Sequence, residues 1–203
     1  MISHSRADWP QTVPPIRVID TRNEAVRRME SIALLAAPGN GNVLITGEHG
    51  VDKAAVARFI HAHSDRSSRG FATIKCEGLP SLLFESTLFG HVQGSFPGAY
   101  RDKPGLLESV PGGTVFLDDV GALSVRSQVR LLHFLETGKS QRIGGHCRQI
   151  DPWLNVRLMA STTEDLEDRV AAGLFLDDLL LRLSIHRLSV PAHAAGALVW
   201  RRQ

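Results

Sequence analysis

The order of apolar and polar residues along the chain predicts a regular alternation of helices and strands. Apolar side chains spaced three and four residues apart indicate helices over 22–37, 53–63, 79–89, 127–136, 166–172 and 177–183. Short apolar runs indicate strands over 43–46, 71–74, 114–119, 141–143, 156–160 and 184–190. A loop with glycine, proline and aromatic residues is predicted over 90–105. Strands separated by helices are typical of a parallel sheet covered on both faces, so we predict an α/β fold.

The same pattern predicts one folded domain between two short flanking segments. The 203 residues are enough for one full hydrophobic core and too few for two comfortable ones. Residues 1–15 are polar and contain three prolines, so we expect a flexible arm there. Residues 16–191 make up the predicted domain, and residues 192–203 follow as a short tail.

Composition narrows the classes of function. The chain is 43% apolar and 22% charged, as in ordinary globular proteins, and its net charge of +2 does not support a broad nucleic-acid-binding face. Cys76 and Cys147 lie far apart and the nine histidines are scattered, which indicates a reduced compartment and no metal-binding pattern. No apolar run approaches the ~18 residues of a membrane span, so we expect a cytoplasmic protein without a membrane segment.

The turn after the first predicted strand has the length and position of a phosphate-binding loop. We call residues 47–54 the phosphate loop; they are Gly47, Glu48, His49, Gly50, Val51, Asp52, Lys53 and Ala54. In such a loop, backbone N–H groups at a helix start hold phosphates and a lysine reaches the outer ones. Gly47 and Lys53 keep the expected spacing, but Asp52 replaces a glycine and Ala54 replaces a hydroxyl residue. The alternative is an ordinary turn in which Asp52 stabilises the helix start.

A second segment favours the nucleotide interpretation. The apolar strand at 114–119 ends in Asp118 and Asp119, as does a strand that holds Mg²⁺ and polarises the attacking water. The alternative is a buried strand that ends in two solvated aspartates. Because a candidate phosphate loop lies at a suitable distance upstream, the pair predicts a site for ATP and Mg²⁺.

From residue 16 to residue 191 the sequence resembles the AAA+ domain of bacterial sigma-54-dependent transcription activators, also called enhancer-binding proteins. Residues 43–48 resemble the family's loop entry, 85–91 its ESELFGH segment, 94–99 its GAFTGA loop, 112–119 its GGTLFLDE strand, 141–145 its QRVGG turn, 160–163 its AATN sensor and 175–183 its FREDLYYRL helix. The resemblance implies a P-loop NTPase fold, the AAA+ α/β subdomain, in a ring-forming ATPase that remodels the sigma-54 RNA polymerase holoenzyme.

The resemblance also implies roles for individual residues. Asp118 would hold Mg²⁺, Asp119 would activate water, Thr163 would act as the sensor, and Arg182 would act as an arginine finger across a subunit boundary. The loop that contacts the sigma factor, here called the partner loop, would comprise Gly94, Ser95, Phe96, Pro97, Gly98 and Ala99.

Several family positions carry a different residue in this chain. Asp119 replaces a glutamate and is one methylene shorter, and a displacement of about an ångström can cost ~100-fold in rate. Lys75 replaces the asparagine of NCAAL that restrains this glutamate, and Thr163 replaces the sensor asparagine. Leu176 replaces the first of two arginines, of which one alone can supply ~10³–10⁵ in rate.

Two further replacements affect binding. A carboxylate on Asp52 within about 4 Å of a phosphate oxygen is repelled by ~4 kcal/mol at an effective dielectric near 20. We therefore expect weak ATP binding and slow or absent hydrolysis. In the partner loop, Pro97 replaces a threonine and restricts Phe96. We expect Phe96 to contact the sigma factor; the alternative is a loop folded against its own domain.

Three functional hypotheses follow from the sequence. The first is an AAA+ domain that binds ATP, assembles a ring and engages sigma-54. The second is a non-catalytic interaction or regulatory protein of the same fold, alone or in rings with active relatives. The third is an inactive truncated remnant, because the family's helical lid and DNA-binding helix-turn-helix do not follow residue 191 in this sequence.

Overall fold

The computed structural model describes residues 24–145, 147–149 and 155–192. Within them the α-helices are α1 (Glu24–Ala36), α2 (Lys53–Ala62), α3 (Ser81–Phe89), α4 (Leu106–Ser109), α5 (Val125–Thr137), α6 (Leu166–Ala171) and α7 (Asp177–Leu183), and a 3₁₀ helix spans Val120–Ala122. The strands are β1 (Val43–Thr46), β2 (Phe71–Lys75), β3 (Gly90–His91), β4 (Lys103–Pro104), β5 (Thr114–Asp118), β6 (Lys139–Gln141), β7 (Cys147–Gln149), β8 (Arg157–Thr162) and β9 (His186–Ser189).

The centre of the molecule is a five-stranded sheet in the order β2-β5-β8-β1-β9, with every neighbouring pair parallel. Thr46 pairs with Thr162, and Lys75 pairs with Asp118. The carboxyl ends of four strands therefore lie along one edge of the sheet, where open α/β sheets bind ligands. The predicted α/β class with a parallel sheet is confirmed.

Helices cover both faces of this sheet. Val43, Ile45 and Phe116 pack on the face covered by α1 and α2. Leu44 and Leu117 point to the opposite face and pack with side chains of α3, α5 and α7. Because side chains alternate along a strand, apolar residues at successive positions bury both faces. This explains why the strands appear in the sequence as unbroken apolar runs.

Several predicted boundaries are wrong, and the two errors at helix starts have a local cause. The helix predicted from residue 79 begins at Ser81, because Pro80 is extended at the N-cap with ψ 141° and a residue before proline, here Leu79, disfavours the helical conformation. The helix predicted from residue 127 begins at Val125, and the Ser124 side chain caps it by accepting from Ser127 N–H. The last strand, predicted over 184–190, spans only His186–Ser189.

The predicted loop over 90–105 and the strand over 141–143 also need correction. The loop contains a short antiparallel pair, β3 with β4, and ends at α4. The strand lies earlier, at Lys139–Gln141, and pairs with β7 as an antiparallel hairpin. Such two- and three-residue strands are too short to leave a periodic pattern in the sequence.

The predicted arm over 1–15 lies outside the described residues, and so does the predicted tail except Ala192. Among the described residues the chain forms the α/β subdomain, and no helical lid follows β9 there. No helix within the described ranges is long and apolar enough to cross a membrane.

A buried arginine donates hydrogen bonds to backbone carbonyls at the edge of the sheet opposite the strand carboxyl ends. Arg157 is 1% exposed, and its guanidinium donates to the carbonyl oxygens of Gly41, Ala37 and Ala36 at 2.7–3.0 Å. Two of these carbonyls belong to the end of α1, where backbone acceptors lack helical partners. Burial lowers the pKa of Arg157 to about 10, and the nearby guanidinium of Arg66 acts in the same direction.

His61 on α2 lies fully buried near this edge, with Nδ1 2.9 Å from the Thr114 hydroxyl. Desolvation lowers the pKa of His61 below its ordinary value, and the charges of Arg157 and Arg66 add to the effect. The folded state therefore holds neutral histidine, whereas the unfolded chain takes up a proton near pH 6.5. Because the unfolded state binds more protons below that pH, acidification must favour unfolding.

We predict that the free energy of unfolding is highest above pH 6.5 and falls as the pH drops toward the folded-state pKa. Between pH 7.5 and 5.5 this histidine should account for up to about 1 kcal/mol. Urea unfolding of wild type and His61→Gln at both values measures the difference. The exposed His133→Gln is the control and should keep the wild-type pH dependence; an unchanged dependence in His61→Gln would contradict the assignment.

Candidate functional site

The phosphate loop joins β1 to α2 at the carboxyl edge of the sheet. Gly50 adopts a positive φ of 84°, which only glycine takes up readily. Asp52 has φ −75° and ψ 75°, and the Lys53 N–H donates to the Val51 carbonyl at 2.8 Å. These values define an inverse γ-turn at Asp52, directly before the helix. The chain thus enters α2 through a tight turn of its own.

Asp52 caps the start of α2. Its carboxylate accepts from the Ala55 N–H at 2.8 Å and lies 3.8 Å from the Arg58 guanidinium. A carboxylate at a helix N-terminus satisfies an unpaired N–H and favours the helix dipole. Two N–H groups at the start of α2, those of Lys53 and Ala55, therefore already bond to the chain itself. The structure shows the helix-stabilising role of Asp52 that the sequence left as an alternative.

Lys53 lies inside the phosphate loop. Its side chain is 5% exposed, and Nζ donates to the carbonyl oxygens of Gly47 and Glu48 at 3.2 and 3.1 Å. A Cβ on Gly47 would lie 3.2 Å from the Val190 carbonyl oxygen, so the loop passes close to the segment after β9. The ammonium is thus held at the centre of the loop by carbonyls of the residues that precede it.

The acidic end of β5 is fixed by a serine on β8. Asp118 accepts from the Ser161 hydroxyl at 2.6 Å, and the Asp119 N–H donates to the same oxygen at 3.1 Å. Asp119 adopts the left-handed conformation with φ 58°, which is uncommon outside glycine. Backbone strain of this kind concentrates at functional sites. Ser161 is a site residue that sequence reasoning missed, although it lies within the predicted sensor segment 160–163.

A cavity of about 80 Å³ lies between the phosphate loop and the ends of β5 and β8. Its lining residues are His49, Glu77, Asp119, Gly121, Ala122, Thr162, Thr163 and Glu164. The structure thus brings together predicted residues from three separate motifs: His49, Asp119 and Thr163. Glu77 and Glu164 were not predicted. Their signal in the sequence is position, because Glu164 directly follows Thr163 and Glu77 lies two residues after Lys75.

The donor set suits a magnesium ion held together with phosphate oxygens. The described part of the chain contains no cluster of three histidine, cysteine or acidic side chains that would hold a metal alone. Mg²⁺ in nucleotide sites keeps several waters and uses one or two carboxylates plus phosphate oxygens. Asp118, at the carboxyl end of β5, fits that role, with Ser161 hydrogen-bonded to its carboxylate.

Lys75, at a replaced family position, and Arg182, the retained arginine, lie outside the cavity lining. Lys75 ends β2 beside Asp118, but its ammonium lies 3.4 Å from the Glu77 carboxylate and is exposed. Arg182 on α7 is half-exposed and lies 3.3 Å from Glu136. Arg182 does not line this cavity, which agrees with a role across a subunit boundary. That role stays a prediction.

The partner loop is compact and folded against its own domain. The Ala99 N–H donates to the Phe96 carbonyl at 2.9 Å, and the Gly94 N–H donates to the Ala99 carbonyl at 2.8 Å. Phe96 is half-buried, and its ring meets the His91 ring edge-on at 5.0 Å and 68°. The predicted contact between this loop and a sigma factor stays a prediction, but Phe96 does not project freely into solvent.

Backbone hydrogen bonds join the base of the partner loop to the segment between β6 and β7. An arginine in that segment pairs with α4. The Ile143 N–H donates to the Gly90 carbonyl, and the Val92 N–H donates to the Ile143 carbonyl, both at 3.0 Å. Arg142 forms a two-pronged ion pair with Glu108 of α4. The loop and the hairpin therefore form one connected unit.

Comparison with known proteins identifies the family. A model of the sigma-54 interaction domain matches residues 19–189 of this chain. The chain belongs to the sigma-54 interaction domain family. The transcriptional regulatory protein GlrR of Escherichia coli is 40% identical over 176 residues, covering 87% of this chain and 39% of GlrR. This sigma-54 interaction domain thus spans about two fifths of that curated relative.

Solved structures agree with this assignment. NtrX from Brucella abortus in complex with ADP superposes with a TM-score of 0.77 at 33% identity, covering 88% of this chain and 38% of NtrX. The P-loop NTPase domain of the sigma-54 transport activator from E. coli has the same fold, with a TM-score of 0.56 at 14% identity over 85% of this chain and 98% of that one. The predicted P-loop NTPase fold of this sigma-54 interaction domain is confirmed.

A buried glutamate on α3 forms ion pairs with two arginines of α5. The Glu85 side chain is 1% exposed and lies 2.6 Å from Arg130 and 3.2 Å from Arg126. Arg130 also stacks over the Phe89 ring at 4.6 Å and donates to the Gln141 carbonyl of β6. Arg126 is 75% exposed, whereas Arg130 is 24% exposed. The two arginines therefore offer a matched comparison of a buried and a solvated partner.

We predict that Arg130→Met lowers the free energy of unfolding by about 2–4 kcal/mol, because it leaves a buried carboxylate without its nearest partner. Arg126→Met should cost less than about 1 kcal/mol, since solvent screens that pair. Urea unfolding of both variants measures the contrast. Equal losses would show that burial of the arginine does not decide the energy of the pair.

Proposed function

We propose that this chain is the nucleotide-binding core of a cytoplasmic sigma-54-dependent transcription regulator that binds ATP and Mg²⁺ weakly and hydrolyses ATP slowly or not at all. Nucleotide binding is supported by family membership and by the relative NtrX, whose structures include complexes with ADP and with ATP. The observation that carries the proposal is the Asp52 carboxylate bound to the Ala55 N–H inside the phosphate loop.

The cost to nucleotide binding arises from both charge and hydrogen bonding. A phosphate at the start of α2 would compete with the Asp52 carboxylate for the Ala55 N–H and would be repelled by ~4 kcal/mol at about 4 Å. A micromolar ligand has only about 8 kcal/mol of binding free energy. Lys53 would also have to exchange its bonds to the Gly47 and Glu48 carbonyls for bonds to phosphate. Ala54 offers no hydroxyl to the metal.

Slow hydrolysis follows from the residues around the cavity. Asp119 is shorter than the glutamate that activates water in the family, and it is set in a strained backbone conformation. Thr163 and Leu176 stand where the family has the sensor asparagine and one arginine. Each change removes or displaces a group that would stabilise the transition state, so the combined loss exceeds that of any one.

The proposed partner is the sigma-54 RNA polymerase holoenzyme, contacted through the partner loop at 94–99. Arg182, exposed on α7, would serve a neighbouring subunit in a ring made of this chain or of this chain with active relatives.

A second candidate is a non-catalytic interaction protein of the same fold. The observation in its favour is that the phosphate loop is satisfied without a ligand, because Asp52 and Lys53 make their hydrogen bonds within the chain. Such a domain would keep its partner surfaces and assemble without nucleotide. The first candidate requires measurable Mg-ATP binding and the second does not.

We predict that the wild-type chain binds Mg-ATP with a dissociation constant above about 100 µM, and that Asp52→Asn and Asp52→Gly each tighten binding at least about tenfold. Asparagine keeps the helix cap and removes only the charge, so it isolates the electrostatic effect. Asp52→Gly with Ala54→Thr should add metal-dependent affinity. Isothermal titration calorimetry with Mg-ATP and with ATP alone measures these values.

Asp65→Asn removes an exposed charge outside the phosphate loop and serves as the control, with unchanged affinity expected. Micromolar binding with steady hydrolysis by the wild-type chain would overturn the impaired-ATPase proposal. No binding by any variant would favour the non-catalytic candidate.

A further inference from the structure

We propose that Tyr100, which directly follows the partner loop, contacts an acidic segment of the sigma-54 subunit. The inference rests on the proposed function, in which this loop engages the sigma-54 holoenzyme. It concerns which side chain makes the contact and what chemistry it meets.

The tip of the partner loop is a preformed turn. Phe96, Pro97, Gly98 and Ala99 form a β-turn closed by the Ala99 N–H to the Phe96 carbonyl at 2.9 Å. Proline stands at the second position and glycine, with φ 102°, at the third, which is the residue pattern of a type II turn. Because proline fixes φ before binding, the loop loses little conformational entropy by keeping this shape.

Phe96 is occupied within this domain. Its ring packs edge-on against His91, which is 8% exposed and lies 2.7 Å from the Ser86 hydroxyl. Such aromatic pairs contribute about 0.5–1.5 kcal/mol beyond the area that they bury. Ala99, 4% exposed, anchors the other side of the turn. Presenting the whole Phe96 ring to a partner would require its contact with His91 to break.

Tyr100 has the opposite environment. It is 87% exposed, directly follows the buried Ala99, and its N–H donates to the Gly98 carbonyl at 3.0 Å. The rigid turn therefore sets the position of its backbone while the ring stays in solvent. Tyrosine is enriched among residues that dominate interface energy, since it buries a large area for two torsion angles.

The charges beside Tyr100 indicate the chemistry of the partner. Arg101 and Lys103 are exposed on the same short segment. The carboxylate between them, on Asp102, accepts from the Gln93 N–H at 2.7 Å and so is turned toward the loop's own backbone. An aromatic ring flanked by two cations complements an acidic segment that also carries apolar side chains.

The test uses the full chain and purified sigma-54 holoenzyme, with affinity measured by biolayer interferometry with and without Mg-ATP. Tyr100→Ala should weaken binding at least about tenfold, and Tyr100→Phe should keep most of it. Leu35→Ala, which removes a side chain 79% exposed on α1, is the matched control and should bind as wild type does.

Replacing Arg101 and Lys103 together by glutamine should weaken binding and flatten its dependence on salt. Tyr100 is the only tyrosine of the chain, so nitration read by mass spectrometry reports on it directly. The holoenzyme should protect it from nitration. Wild-type affinity in Tyr100→Ala would overturn the inference and leave the proposed function intact. Absence of wild-type binding in both nucleotide conditions would overturn the proposed function and this inference with it.

Discussion

The parallel alignment of β2, β5, β8 and β1 is the constraint on which the candidate site depends. Parallel strands all end at one edge, so the turns that follow them meet there. The phosphate loop, the aspartates at the end of β5 and the threonines at the end of β8 are distant from one another in the sequence, yet His49, Asp119 and Thr163 line one cavity. Hydrophobic packing on both faces holds this alignment, and Arg157 closes the opposite edge with three hydrogen bonds to backbone carbonyls.

The charged side chains of the phosphate loop, Asp52 and Lys53, already have hydrogen-bond partners within the chain. A phosphate-binding loop works because its N–H groups and its lysine lack strong partners until a phosphate arrives. Here Asp52 supplies a permanent negative group to the helix start, and the Lys53 ammonium bonds to the loop's carbonyls. Two acids beyond the expected pair, Glu77 and Glu164, line the adjoining cavity. The P-loop NTPase fold is therefore kept, while the charged groups of the phosphate loop bond within the chain.

The partner loop is likewise held by contacts within its own domain. Its proline and glycine make a rigid turn, its phenylalanine packs inward, and its base is bonded to the β6–β7 hairpin. A rigid loop presents a defined surface at low entropic cost but has little freedom to move. In both the loop and the nucleotide site, this chain replaces adaptable groups by internally satisfied ones.

The sequence by itself determined the α/β class, most helices and strands, and the motifs that identify the family, because these depend on local periodicity and on residues close together in the chain. It also showed that Asp52 stands where the family's phosphate loop has a glycine. Only the tertiary structure decided that Asp52 caps α2, that Ser161 holds Asp118, that Glu77 faces the cavity and that Tyr100 is exposed where Phe96 is not. Those outcomes depend on side-chain directions and on contacts between distant segments, which arise only when the strands align and the chain closes around its core.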